Sequence, residues 1–401
     1  MIRVLLIPSS DYLGHPFPQR YNHLFERVHD GKDFEVHVIR FDIYGKKKLE
    51  TKCIIHEIPL ELKTRKTAHY YLMNAPSYAN EILKIVRQES IDAVVYENIL
   101  PPLLFELTQA LTQRKIPTIF DIQDYYPTSA TGYIAKPNSF IGKTLEGFFK
   151  IMVDYLIKQA TAVTTPGAAL ALYAKKTAPG KPIYIIPNGI SEHFLDVYIG
   201  EGIKLRERLG FDQDDLVVGY IGSVEFWLDM EPLIKAIAEV NKRGKNAKLL
   251  IVGRQLQSKY GEAVSRWLKS YGVDRYTQWL DFVPHKEVPM YAAAIDLGTI
   301  PFDVHNPTAY YAAPNKMWEY LSQGTEVVAT PIPEALLHRK IVKIAATWEQ
   351  YAKVMLESPI NTPLQRLEKT KRIGHILKER TWERSAQKVK RLIATLVRGD
   401  A

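Results

Sequence analysis

The stretch "PNKMWEYLSQGTEVVAT", Pro314 to Thr330, decides how the chain folds. Residues 315–323 read as a short helix, Gly324 as its stop, and "EVVAT" as a buried strand. A helix that feeds a continuous apolar strand is half of a parallel βαβ unit. Lys316, Glu319 and Gln323 are spaced i, i+3, i+7 and share one helix face, whereas Met317, Tyr320 and Leu321 fall on another that should be packed. Lys316 stands in the first turn, where the macrodipole disfavours a cation. An anion docked at the helix N-terminus would remove that conflict, with Asn315 and Lys316 beside it and Glu319 one turn deeper to accept two hydroxyls of a ligand. The plainer alternative is a local Lys–Glu pair contributing about a few tenths of a kcal/mol.

The same alternation extends in both directions. Strands are expected at "IRVLLIPS", "FEVHVIRF", "KCIIHEI", "AVVYEN", "PTIFDIQ", "AVTTP" and "IYIIP", then at "LVVGYIG", "KLLIVG", "TQWLDFV", "LGTIPF", "EVVAT" and "VKIAA". Helical patterns lie between most of them, near 74–89, 103–115, 229–242, 256–271, 286–294 and 315–323. Apolar strands alternating with helices imply parallel sheets covered on both faces. The pattern restarts near Leu216, and "PNGISEHF" at 187–194 carries the turn chemistry of a connection. The expected organisation is an α/β chain of two doubly wound domains, 1–190 and 191–370, with residues 371–401 as a C-terminal helix packing back towards the first.

Composition limits the kind of site. The chain has 401 residues, 46% hydrophobic and 24% charged, an ordinary globular balance with room for real cores. No apolar run approaches the ~20 residues of a membrane span, and "MIRVLLIPSS" reads as a first strand rather than a secretory segment. The single Cys53 excludes an internal disulfide framework and a cysteine metal cluster, and suits a cytoplasmic location. The net charge is +9, with 23 Lys and Arg against 18 Asp and Glu in residues 1–190 and 30 against 26 in the remainder, so the excess is diffuse. A diffuse positive field suits phosphates or weak attraction to an anionic membrane, and argues against nucleic acid, which calls for a concentrated stripe. The runs at 45–48 and 63–66 read as solvated loops.

In open parallel sheets, ligands bind outside the carboxyl ends of the strands. The loop "SSDYLGHPFPQR" after the first strand offers Gly14 for close backbone approach, with Asp11, His15 and Arg20 as polar groups. "DIQDYYP" places Asp121 and Asp124 where a hydroxyl could be met, and "YENILPP" adds Glu97 and Asn98 to the same rim. Turns and caps are the plainer reading of each. In the second half, Gly219, Gly222 and Ser223 flank a strand end without forming G-x-G-x-x-G, yet can offer N–H groups to phosphate. Arg254 follows the next strand and suits bidentate phosphate contact, with a solvated arginine as the alternative. The histidines show no metal-ligand spacing such as H-E-x-x-H, and no metal is expected.

Taken together, "PNKMWEYLSQGTEVVAT", "GYIGSVEFWLDME", "IVGR", "VPHKEVPMYAAAIDLGTIPF", "IIPNGISEHF" and "TWERSAQKVKRLI" resemble the retaining glycosyltransferases of the GT-B fold, group 1 or family GT4. "LLIPSSDYLGHPFPQR" and "FDIQDYYP" match more loosely. The resemblance implies two Rossmann-like domains facing across a cleft, with a nucleotide sugar on the second and the acceptor on the first. It implies that Glu319 binds the donor ribose, that Lys316 and Arg254 face the diphosphate, that Gly222 and Ser223 form the donor-side loop, and that Val283 to Tyr291 border the nucleobase. Two departures stand out. Tyr311 occupies the place of the family's first glutamate, and the usual Arg and Lys pair is missing from "GSVEFWLDME".

The implied reaction is sugar transfer from a nucleoside diphosphate to a hydroxyl of a glycan or lipid-linked glycan, with retention. It needs no cofactor beyond the donor. Lys316 and Arg254 would stabilise the leaving group, the Gly14 N–H would close from the other domain, and Asp124 or His15 would position acceptor or sugar. The alternatives are an epimerase or phosphorylase on the same fold, or a non-catalytic binding module. The segment "FIGKTLEGFFKIMVDYLIK", 140–158, reads either as a broad buried helix or as a peripheral membrane contact at the inner face of the membrane.

Overall fold

The computed structural model describes residues 1–15, 18–41, 45–58, 67–97, 101–135, 139–254 and 258–399, with backbone only at 67–76, 101–106, 133 and 258. Asn98 and the basic run at 63–66 lie outside them. The chain forms two units: Met1–Asn188 with Trp382–Ala401, and Gly189–Thr381.

In the first unit, strands β1 (Ile2–Ile7), β2 (Phe34–Phe41), β3 (Ile54–Ile58), β4 (Ala93–Tyr96), β5 (Thr118–Asp121), β6 (Ala162–Thr165) and β7 (Ile183–Ile185) form one parallel sheet in the order β3-β2-β1-β4-β5-β6-β7. Val4 to Ile7 are fully buried, as a strand covered on both faces requires. The covering helices are α1 (Arg20–Val28), α2 (Thr67–Gln88), α3 (Pro101–Gln113), α4 (Tyr126–Ile134), α5 (Phe140–Gln159) and α6 (Ala168–Thr177).

The second unit repeats the plan. Its helices are α7 (Ile199–Arg208), α8 (Met230–Lys242), α9 (Ser258–Ser270), α10 (Val288–Ala294), α11 (Pro307–Tyr310), α12 (Lys316–Ser322), α13 (Pro333–Leu337), α14 (Trp348–Glu357) and α15 (Pro363–Glu379). Strands β8 (Leu216–Ile221), β9 (Ala247–Val252), β10 (Thr277–Leu280), β11 (Leu297–Ile300), β12 (Glu326–Ala329) and β13 (Lys343–Ile344) form a parallel sheet in the order β10-β9-β8-β11-β12-β13. The strand order therefore reverses between β1 and β4 in one unit and between β8 and β11 in the other. Such switch points open a crevice at the carboxyl ends of the strands.

The tail divides after Thr381 rather than at 370. Helix α15 stays with the second unit because Arg366 reaches Asp296, Nη2 to Oδ1 at 2.6 Å, from a buried position. The last helix, α16 (Trp382–Arg398), belongs to the first unit. It buries Trp382, Ala386, Val389, Ile393 and Leu396 at helical spacing and packs on α1, where Trp382 stacks on His23 at 4.7 Å between ring centroids. Helix α5 is buried along one side only. Phe149, Met152, Val153, Leu156 and Ile157 are buried, while Phe140, Ile141, Phe148 and Ile151 face solvent.

Candidate functional site

The switch point of the second unit gathers most of the expected residues. Strand β8 ends at Ile221, and Gly222 turns the chain with φ of 140°. Strand β9 ends at Val252, and Gly253 follows it beside Gly222. A Cβ on Gly253 would fall 1.9 Å from the Gly222 carbonyl oxygen, so two backbones meet where only glycine fits. The next residue, Arg254, accepts the Val224 N–H at its carbonyl, and its side chain is exposed.

Lys316 enters this crevice from the start of α12. Its Nζ lies 3.0 Å from the Tyr220 hydroxyl, 4.1 Å from the Tyr220 ring centroid and 5.5 Å from that of Phe302, which follows β11. A Cβ on Gly222 would lie 2.6 Å from the same Nζ. No carboxylate oxygen among the described residues lies within ion-pair distance of it. Burial pulls the Lys316 ammonium down from 10.5 to about 8, and Glu319 offsets only part of this. The expected Lys–Glu pair is therefore not the main partner: the lysine points to the glycine loop.

Glu319 faces elsewhere. Its Oε1 accepts from Asn315 Nδ2 at 3.3 Å and lies 3.8 Å from His285 Nε2. Asn315 Nδ2 also donates to the Gly189 carbonyl at 2.8 Å, which leaves its buried Oδ1 with no partner. His193 stands edge-on to His285 at 5.1 Å between centroids, and its buried Nε2 has no partner either. Burial, then the neighbouring His285, holds His193 below its usual value and so neutral at pH 7. Buried polar atoms without partners are uncommon in a protein's own packing and mark places where a ligand atom or water completes the pairing. His193 was not singled out by the sequence, although "SEHF" lies in a quoted stretch, whereas His285 falls within the Val283 to Tyr291 stretch expected to border the nucleobase. Val283 and Tyr291 are half-buried against the core near this rim, and Ser223 gives its carbonyl to the Tyr220 hydroxyl at 2.8 Å.

Two expectations at α12 change. The Met317 N–H is engaged by the Pro314 carbonyl at 3.4 Å, so the helix start does not present a full set of free donors. Gln323 does not share the site with Lys316. It caps the C-terminal end, fully buried, where its amide joins Tyr198 N–H to the carbonyls of Phe194 and Asp196. The packed face is as expected, with Met317, Tyr320 and Leu321 buried and Trp318 buried too.

The first unit has its own switch point, between β1 and β4. Glu97 at the end of β4 is buried and accepts Ser9 N–H at 2.9 Å and Ser9 Oγ at 2.7 Å, and Gln123 Nε2 bonds its other oxygen. Burial pushes the Glu97 carboxyl up to about 8, so it holds a proton at neutral pH. Other polar residues of this rim are committed to structure. Asp11 takes Arg40 through both oxygens, at 2.9 and 3.2 Å, and Asp121 takes Arg20 likewise, at 3.0 and 3.2 Å. The Gly14 N–H, expected to face a diphosphate, donates instead to Asp11 Oδ1 at 2.9 Å. His15 Nδ1 contacts Gln19 Nε2 at 3.0 Å. Asp124 is half-buried just before α4, where its carbonyl accepts the Tyr126 N–H.

A cavity of 490 Å³ elsewhere in the second unit is lined by Ile203, Arg206, Phe211, Asn361 and Arg366. Both arginines are tied to Asp296 and so are already engaged within the protein. Among the described residues, no group of three or more His, Cys, Asp or Glu side chains is placed to hold a metal, and no helix is long and apolar enough to cross a membrane.

Residues 215–357 match the family described as Glycosyl transferases group 1, a span that carries Gly222, Arg254, Lys316 and Glu319. The chain is 23% identical over 199 residues to 2-deoxystreptamine glucosyltransferase of Streptomyces kanamyceticus, 49% of each chain. The match thus spans about half the length of that curated relative. Among solved structures, sucrose-phosphate synthase of Thermosynechococcus elongatus superposes with a TM-score of 0.76 at 13% identity over 100% of both chains. Anabaena HepE, solved with UDP and glucose, superposes with a TM-score of 0.67 at 15% identity over 98% of this chain and 100% of its own. At such identities the likeness is one of fold, and the fold is that of the GT-B glycosyltransferases.

Proposed function

We propose that this protein is a glycosyltransferase whose donor is a nucleoside diphosphate sugar held at the β8–β11 switch point. The observation that carries the reading is Lys316: a cation drawn into a crevice, partnered by no carboxylate among the described residues, and facing the glycine loop at Gly222. A diphosphate would supply the missing charge. Glu319 would take the ribose hydroxyls, with His193 Nε2 and Asn315 Oδ1 as further unpaired atoms on the same rim. The group 1 match covers these residues, and the HepE structure holds UDP and glucose.

In the reaction, the bond between the anomeric carbon and the diphosphate oxygen breaks, and the electron pair leaves on the diphosphate. The acceptor hydroxyl oxygen bonds to that carbon, and its proton passes to the departing phosphate. Attack from the same face retains configuration. Lys316 stabilises the charge that grows on the leaving group, a kind of contribution worth several kcal/mol in enclosed sites, on the order of 3. Arg254, on the adjoining loop, swings its exposed guanidinium onto the same phosphates. The acceptor, a glycan or lipid-linked glycan, is assigned to the rim of the first unit near Asp124.

A thermal-shift series with UDP, GDP and their sugars tests the donor site. The best ligand raises the melting temperature of the wild-type protein, as any ligand specific to the folded state must. Lys316→Ala weakens its binding by about 10- to 100-fold, the range for losing a charge-assisted bond. Glu319→Ala and Gly222→Ala weaken it as well, the latter because the added Cβ displaces Nζ. Unchanged stabilisation in all three variants would refute the assignment.

A further inference from the structure

The outer face of α4 and α5 is not used by the fold. Phe140 is 87% exposed, Ile151 70%, Ile141 64%, Ile134 56% and Phe148 54%. Positions 140, 144, 148, 151 and 155 recur every three or four residues, so they form one stripe along α5. The opposite side of the same helix, from Phe149 to Ile157, supplies the packing that holds it to the unit. Large apolar side chains gathered on an outer face mark a surface that another body covers.

The charges around the stripe say what kind of body. Among the described residues of α4 and α5, the exposed charged side chains are Lys143, Lys150 and Lys158, and all are positive. The two acids of α5 are drawn inward. Glu146 accepts Thr128 Oγ1 at 2.9 Å, and Asp154 is bridged to Lys150 at 2.6 Å while also bonding the Tyr173 hydroxyl. An apolar stripe with a rim of lysines, and no exposed acid on it, has the character of an amphipathic helix lying in a lipid headgroup region.

We propose that the α4–α5 face docks on an anionic lipid surface. Phe140, Ile141, Phe148 and Ile151 enter the boundary between headgroups and acyl chains, and the lysines meet lipid phosphates. The inference does not depend on the transferase reading, since it uses no residue of the donor site. Within the first unit, the docked face adjoins the loop after β5: Tyr126, at the start of α4, meets the Phe149 ring edge-on at 5.6 Å.

The test is co-sedimentation of the full chain with vesicles of phosphatidylcholine alone and of phosphatidylcholine mixed with phosphatidylglycerol. The wild-type protein pellets with the anionic vesicles, much less with the neutral ones, and less again as salt is raised. Phe148→Ser with Ile151→Ser lowers the partition coefficient by roughly tenfold or more, the loss for two side chains leaving an apolar phase. Lys143→Glu with Lys158→Glu gives a second, charge-only variant, and all four positions are exposed, so folding is retained and is checked by melting. UDP-induced stabilisation in these variants stays at the wild-type level, which separates this proposal from that for the donor site. Failure of the wild type to pellet with anionic vesicles, or pelleting of both double variants to the same extent as the wild type, overturns the proposal. So does sedimentation velocity showing a wild-type dimer that the apolar variant converts to a monomer, since the face would then belong to a second copy.

Discussion

Lys316 sits where its own charge is poorly solvated, and this gives the donor site a pH signature. Its folded value of about 8 lies below the ordinary 10.5. Between those two values the unfolded chain holds the proton that the folded chain has released, so this group makes stability rise with pH across that window. The cation itself is lost from the free folded protein above about 8. Diphosphate affinity therefore falls as pH rises from about 7 to about 9, and binding at the upper end takes up a proton. Calorimetry of UDP binding in buffers of differing ionisation enthalpy measures both effects. A Lys316→Met protein binds more weakly and shows a flatter profile, and a wild-type affinity constant over that range would remove Lys316 from the phosphate contact. Spacing alone brought Lys316 and Glu319 to notice, because i and i+3 share a face in any helix. It could not show that Lys316 would bend to Tyr220, 96 positions away, or that His285 would stand by Glu319.

At the scale of elements, α12 and α15 show how the site is braced. Asp296, just before β11, takes Arg206 Nη1 at 2.9 Å, Arg366 Nη2 at 2.6 Å and the Val217 N–H at 2.9 Å. This one carboxylate ties α7, α15 and β8 together in the interior. Asp296→Ala leaves two buried guanidinium groups without their counter-charge and destabilises the second unit by about 3–5 kcal/mol. Denaturant titration checks this, and a loss below about 1 kcal/mol would show that the arginines find other partners. The strands and most helices were legible because each carries its own periodicity. Helix α12 was legible as an element, but not what holds its far end. By spacing Gln323 shares a face with Lys316 and Glu319, yet the chain around 194–198 wraps the helix end and takes its amide.

At the scale of the whole molecule, donor binding should be felt unevenly. Hydrogen exchange with and without UDP will slow in the second unit around 220–224, 252–254 and 316–321, where backbone amides line the switch point. Amides of α5 in the first unit, Phe140–Gln159, will exchange at unchanged rates. Protection in α5 with none at 220–224 would place the nucleotide in the wrong unit. Two doubly wound sheets follow from the sequence by itself, because a strand buried on both faces must be apolar at every position and a covering helix on one stripe, and both patterns are local. Which polar groups remain open to a ligand was decided only by tertiary structure. Asp11, Gly14 and Asp121 looked as available as Lys316, until packing brought Arg40 to Asp11, Asp11 to the Gly14 N–H and Arg20 to Asp121. Charge pairing between residues tens of positions apart depends on strand order and register, and nothing in the local spacing of either partner encodes it.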